Sequence, residues 1–247
     1  MAQPASKPPT RPPTRPPTRP PTRPPSRPPS PAQRPILCAV LDARALGDDP
    51  RERAATLLAA GVDWIQLRDR SLDDETSYQL AGQLVLARDQ ARMAASPRVI
   101  VNKRVDIALA ARADGVHLGF DALGDQAART LLGDRALLGA SLHSVEEVEA
   151  AAGTQFDYAH LAPIWDPLSK EATRPALGPA ALERACRAGL PILAQGGLDP
   201  LRAAEAIEAG AAGIAVTGIL GRAENPAAIA RHLRAALDDR SRLGDRL

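Results

Sequence analysis

The stretch Pro191-Ile192-Leu193-Ala194-Gln195-Gly196-Gly197-Leu198-Asp199-Pro200 is a short apolar run that ends in two glycines. A helix opens directly after them, with Asp199 as N-cap and Pro200 at the first helical position. Paired glycines at a strand end let the backbone come close to a ligand, and converging N–H groups suit a phosphate. The pattern recurs further on as Gly213-Ile214-Ala215-Val216, followed by Thr217-Gly218-Ile219. Two successive units of this kind match the phosphate site of a (β/α)8 barrel, formed by the loops after strands 7 and 8. Taken singly, each is also an ordinary strand-to-helix turn containing glycine.

Upstream, the same alternation repeats. Ile36-Leu37-Cys38-Ala39-Val40-Leu41 is continuously apolar, as a strand buried on both faces should be. Asp49-Pro50 opens a helix that Gly61 stops, and residues 62–68 (VDWIQLR) read as a second strand. Residues 73–93 carry Leu80, Leu84, Val85 and Ala91 near helical spacing. Residues 99–101, 115–119, 136–141 and 158–161 supply strands three to six. Helical segments follow them: a short one with Val105, Ile107, Ala108 and Leu109, then 123–132, 145–152 and 179–188. Ser144 caps the third of these, with Glu147 at the capping-box position. A long loop at 162–178 precedes the fourth, and a final amphipathic helix runs from Pro226 to about Leu237. Eight strand–helix alternations predict a parallel sheet closed on itself. No Gly-x-Gly-x-x-Gly follows the first strand, which argues against a dinucleotide-binding sheet. The expectation is a single (β/α)8 TIM barrel over residues 36–240.

Residues 1–35 are of another kind. Within them, 8–30 repeat Pro-Pro-Thr-Arg, drifting to Pro-Pro-Ser-Arg, with five arginines and no acid. Such a segment has no core-forming residues and reads as a disordered, partly polyproline-II tail. It has neither the apolar core of a secretory signal nor the pattern of an amphipathic transit helix. It is expected to be dispensable for folding and turnover. The whole chain of 247 residues is 45% hydrophobic with a formal charge of +2, so nothing in it demands nucleic acid or a membrane surface. Cys38 and Cys186 are far apart, lack Cys-x-x-Cys spacing and read as packed thiols of a cytoplasmic protein. A homo-oligomer is compatible with the sequence.

In a barrel of this type, function sits at the C-terminal ends of the strands. The candidates there are Gln66, Arg68, Arg70, Asn102, Lys103, Ser141, His143, Ser169 and Lys170, with Gly196, Gly197, Thr217 and Gly218 as the phosphate loops. The chain is rich in arginine and has only three lysines, Lys7, Lys103 and Lys170, of which the last two fall in active-face loops. A lysine where arginine is the habit points to a specific task, although a solvated surface charge is the simpler alternative. His117 and His160 lie inside strands, where a packed, hydrogen-bonded histidine is the default, and His232 lies on the surface of the last helix. His143 follows the fifth strand and should face the pocket, where an imidazole can move a proton near neutral pH. No His/Cys/Asp cluster has zinc spacing.

Seven motifs occur in order: VDWIQLRDR (62–70), VNKRVDIALA (101–110), ADGVHLG (113–119), GASLHS (139–144), APIWDPLSK (162–170), AQGGL (194–198) and AGAAGIAVTGI (209–219). Together they resemble the thiamine phosphate synthase/TenI superfamily over residues 36–238. The resemblance implies a small barrel in thiamin biosynthesis that binds a phosphorylated thiazole. It also implies one of two activities. A synthase of this superfamily joins hydroxymethylpyrimidine diphosphate to thiazole phosphate and releases diphosphate, with Mg²⁺ held by two aspartates. Here Lys103 occupies the first aspartate position and Ala122 the second, with Phe120 replacing a glutamine, and neither Lys nor Ala can ligate Mg²⁺. The diphosphate loop has become Asp166-Pro167-Leu168-Ser169-Lys170, without its first hydroxyl. Asp121 is the neighbour that offers a metal oxygen, and Lys103 can instead carry the positive charge itself.

The TenI-type thiazole tautomerase lacks those aspartates, needs no metal and moves a proton with the histidine of a Ser-x-His-Ser segment. Ser141-Leu142-His143-Ser144 matches it. The sequence therefore favours the tautomerase, without a cofactor, with isomerisation that survives EDTA and falls about 10²-fold or more in His143→Ala, and with little or no thiamine phosphate formed. The synthase is the alternative. A Schiff-base lyase using Lys170 or Lys103 and a non-catalytic thiazole-phosphate binder remain as readings from other classes.

Overall fold

A computed structural model describes residues 34–91, 97–166 and 174–239. Eight parallel strands close into a barrel in sequence order: β1 (Ile36–Leu41), β2 (Trp64–Leu67), β3 (Arg98–Asn102), β4 (Gly115–Leu118), β5 (Leu137–Leu142), β6 (Tyr158–Leu161), β7 (Ile192–Gln195) and β8 (Gly213–Val216). β1 closes the ring against β8, with Leu37 opposite Ile214 and Ala39 opposite Val216. The helices are α1 (Ala43–Leu46), α2 (Pro50–Ala59), α3 (Asp74–Gln90), α4 (Val105–Ala110), α5 (Asp125–Leu132), α6 (Val145–Ala151), α7 (Pro179–Cys186), α8 (Pro200–Glu208), α9 (Gly218–Gly221) and α10 (Pro226–Asp238). The (β/α)8 architecture expected from the alternation is thus observed. Two four-residue helices, α1 and α9, add to it, and both are too short to leave a periodic signature. The helix expected over 73–93 ends at Gln90, because Ala91 leaves helical backbone at ψ 114°.

Small polar caps set the helix starts. Asp49, Asp73, Ser144, Asp199 and Asn225 each accept a bond from the backbone N–H three residues on, satisfying a donor that the first turn cannot. Pro200 follows Asp199 as expected. Most of the core lies between the strands and the helix ring, where Leu37, Ile65, Val99, Leu138 and Ile214 are buried with Leu57, Leu84 and Leu233. A smaller cluster of Cys38, Val40, Tyr158, Leu193 and Ala215 forms apart from it. Tyr158 meets Trp64 edge-on, with ring centroids 4.9 Å apart, and its ring lies where a side chain on Gly139 would be. Both cysteines are free thiols: Cys38 is buried, and burial pushes half-buried Cys186 up to about 12.

The start of β1 and the end of α10 meet at the N-terminal rim of the strands. Arg234 of α10 donates to the Pro35 carbonyl at 2.8 Å and to Asp63 at 2.9 Å, and Asp63 also accepts from Leu37 N at 2.8 Å. Arg34 adds exposed pairs to Asp63 and Asp238. Residues 1–33, and with them the repeat, lie outside the described residues. A chain beginning at Arg34 is expected to keep the thermal midpoint and turnover of the full chain. Starting instead at Pro35 removes only the Arg34 pairs, worth ~0–1 kcal/mol at such exposure. A fall in either quantity on removing residues 1–33 would show that the repeat contributes to the barrel.

Candidate active site

A cavity of about 650 Å³ opens at the C-terminal ends of the strands, within the range of small-molecule sites. One side is made by the two glycine loops. Gly196, Gly197, Thr217 and Gly218 all line it, and the Gln195 side chain donates to Thr217 Oγ1 at 3.3 Å. Gly196 and Gly197 both take positive φ, 98° and 63°. The reason is partly internal to the fold. The chain after β6 runs directly against them: Ile164 N donates to Gln195 O at 2.9 Å and Trp165 N to Gly196 O at 3.3 Å. A Cβ on Gly197 would come within 2.2 Å of the Asp166 carbonyl oxygen. Glycine is required there by backbone–backbone packing, before any ligand is considered.

The opposite side, at the ends of β2 to β4, is cationic. Arg68, Arg70, Asn102, Lys103, Gly119, Phe120 and Asp121 line it. Asn102 and Lys103 sit where β3 ends, Lys103 with left-handed backbone at φ 62° and its N–H bonded to His117 O at 2.9 Å. Its ammonium pairs with Asp121, and this hydrogen bond is the main cause that holds the Asp121 carboxyl below its usual pKa. Desolvation, then the like charge of Arg70, lower the pKa of Arg68. Gln66 is fully buried and stands behind Asn102, to which its amide donates at 3.2 Å, with its own carbonyl oxygen left without a partner.

Between the two sides lie Ser141 and His143 from β5 and its following turn. His143 Nδ1 contacts the Ala162 carbonyl oxygen at 2.7 Å. A carbonyl only accepts, so the ring proton is on Nδ1 and Nε2 of the neutral ring is free to act as a base. Below His143, Glu147 closes a variant of the capping box. Ser144 accepts from Glu147 N at 3.1 Å, but the Glu147 carboxylate reaches back to His143 N at 2.6 Å, and so fixes the backbone that carries the imidazole. Ser141 Oγ bonds His117 Nε2 at 2.9 Å, and His117 Nδ1 is 3.3 Å from Tyr158 OH. His117 is thus the packed, bonded histidine its strand position implies. The His160 ring lies tilted against it with centroids 4.1 Å apart, but its buried Nε2 has no partner, and its pKa is pushed down to about 3 by burial. His232 is exposed on α10.

Lys170 and Ser169 lie outside the described residues. Arg174, Gln195 and Arg222 were not anticipated, yet all three line the cavity. In so arginine-rich a chain, one more arginine after a strand carries no signal. The donor set does not fit a bound Mg²⁺: a cation occupies one ligand position, Ala122 packs against the core, and Asp121 is already paired with Lys103. Among the described residues no three His, Cys, Asp or Glu side chains gather as a metal site.

The model of the thiamine monophosphate synthase family matches residues 37–220. The chain belongs to that family. Family membership places it among the enzymes of thiamine biosynthesis. It is 40% identical over 208 residues to a thiamine-phosphate synthase of Mycobacterium sp. strain JLS, across 81% of this chain and 91% of the relative. Against a thiamine-phosphate synthase of Chlorobium luteolum the identity is 38% over 205 residues, 83% and 93% of the two chains. A solved thiamine phosphate pyrophosphorylase from Pyrococcus furiosus superposes with TM-score 0.72 at 25% identity, covering 83% of this chain and 96% of that one. These family relatives carry the synthase name, the alternative of the sequence reading, rather than the preferred tautomerase. No described helix is long and apolar enough to cross a membrane.

Proposed function

We propose that this enzyme is a thiamine-phosphate synthase: it joins hydroxymethylpyrimidine diphosphate to thiazole phosphate and releases diphosphate. One observation carries the reading beyond the names of the relatives. The cavity is lined on one side by the glycine loops after β7 and β8 and on the other by Arg68, Arg70 and Lys103 after β2 and β3, and both kinds of lining suit an anion. Either substrate set brings two anions, a phosphate with a carboxylate or a phosphate with a diphosphate, and three cations on one side suit the more highly charged diphosphate. In the coupling, the thiazole nitrogen forms a bond to the pyrimidine methylene carbon. The C–O bond to the diphosphate breaks, and its electron pair leaves with the diphosphate. The cations after β2 and β3 face the charge that develops on that leaving group, which is where fixed charge lowers a barrier most.

A second reading rests on His143. Its Nδ1 is engaged with Ala162 O and the residue lines the cavity, which leaves Nε2 as the ring atom for proton transfer in a thiazole tautomerase. The two readings separate in one assay of the purified protein with both substrate sets, with Mg²⁺ or with chelator. Formation of thiamine phosphate is the expected result. Thiazole isomerisation without coupling would replace the synthase by the tautomerase. In that case His143→Ala should lower the rate by about 10²-fold or more, the scale of a lost acid–base group.

A further inference from the structure

The cationic side holds a lysine where a metal ligand is expected, and its surroundings are shaped to it. Lys103 has left-handed backbone at φ 62°, which for a non-glycine residue needs the surroundings to enforce it. Its N–H is tied to β4 through His117 O at 2.9 Å. Its stem passes over Gly119, where a Cβ would lie 3.4 Å from Lys103 Cε. The Gly119–Ala122 turn, closed by Ala122 N to Gly119 O at 3.1 Å, then sets Asp121 beside the ammonium. Arg104, next in sequence, is engaged with Asp74 and Asp106, so Lys103 is the cation this turn presents to the cavity.

Resting on the synthase reading, we infer that the Lys103 ammonium replaces the divalent cation as the charge that meets the diphosphate, and that diphosphate binding here is independent of metal. Asp121 holds the ammonium in place while the site is empty. The pair is part-exposed, and such pairs contribute little net stability, so a multiply charged diphosphate can take the ammonium from one carboxylate. Lys103 then shares the leaving group with Arg68 and Arg70, and the bond changes of the coupling need no further reactant.

The test is calorimetric titration of the full chain with inorganic pyrophosphate in EDTA, with thermal melts to confirm that each variant is folded. The wild type should bind. Lys103→Met should bind about 10- to 100-fold more weakly, the loss expected of one charge-assisted contact, and Lys103→Arg should retain most of the affinity. Asp121→Asn should bind at least as tightly as the wild type, since the competing carboxylate is gone. The double variant Lys103→Asp/Ala122→Asp should bind pyrophosphate only when Mg²⁺ is added. A wild type that binds only with Mg²⁺, or a folded Lys103→Met that binds like the wild type in EDTA, overturns the inference. Loss of the metal-free binding in Asp121→Asn does so as well, by making Asp121 a support of the anion site rather than the carboxylate displaced from Lys103. Metal-free binding through Lys103 without any coupling would instead sustain the charge replacement and remove the synthase reading.

Discussion

Lowering the pH from 7 to 5 should destabilise the barrel by up to about 4 kcal/mol through two buried histidines alone. His117 and His160 are both fully buried. Burial holds each far below the ordinary 6.5, His117 helped by its neighbours His160 and Arg68, and His160 down to about 3. In the unfolded chain both take up a proton as the pH falls through 6.5; in the folded barrel neither does. The unfolded state binds more protons throughout this window, so stability is full above pH 6.5 and is lost as the pH falls towards 3. Each histidine contributes about 2 kcal/mol between pH 7 and 5, the integral of a slope near 1.4 kcal/mol per proton and pH unit. Most carboxylates titrate below this range. Urea unfolding of the wild type and of His160→Leu at pH 7, 6 and 5 would measure it. The variant should show about half the wild-type pH slope, and a wild type of constant stability from pH 7 to 5 would refute the account.

Gly197→Val should cost about 2–6 kcal/mol of stability, combining about 1–3 for left-handed backbone without glycine and about 1–3 for overpacking. The new Cβ would meet the carbonyl oxygens of Asp166 and Trp165 at 2.2 and 2.8 Å. Backbone cannot swing aside as a side chain can, so the chain after β6 must move away from the loop after β7. The affinity for thiazole phosphate should fall in parallel, because that movement disturbs the cavity wall. Denaturant titration and ligand titration on the same preparation separate two causes. Lost affinity at unchanged stability would mean that the glycine serves the phosphate alone and that the backbone contact is dispensable.

That difference illustrates what the sequence could convey. Paired glycines after Gln195 mark close approach, and the strand–loop–helix period around them leads to the barrel, since both are local signals. What approaches the glycines is not local: Trp165 and Asp166 arrive from the neighbouring loop across the sheet. The same limit applies to the site. Positions at strand ends brought Arg68, Asn102, Lys103, Ser141 and His143 to one cavity, as their spacing implied. Arg174 and Arg222 come from loop segments where no period constrains placement, and Gln66, although at a strand end, is turned into the barrel behind Asn102. Lys103 and Ala122 pointed away from the synthase because a missing ligand is visible in a sequence. The cluster that could compensate for it, Lys103 beside Asp121 with Arg68 and Arg70, exists only once β2, β3 and β4 stand side by side.

The clamp of Arg234 on Pro35 and Asp63 has a practical corollary for handling the protein. It seats the start of the first strand beside the last helix, at the rim farthest from the cavity mouth. Arg34 itself therefore lies at the rim opposite the cavity face. A shortened enzyme that begins at Arg34 and is immobilised on a resin through that residue is held from the rim opposite the cavity.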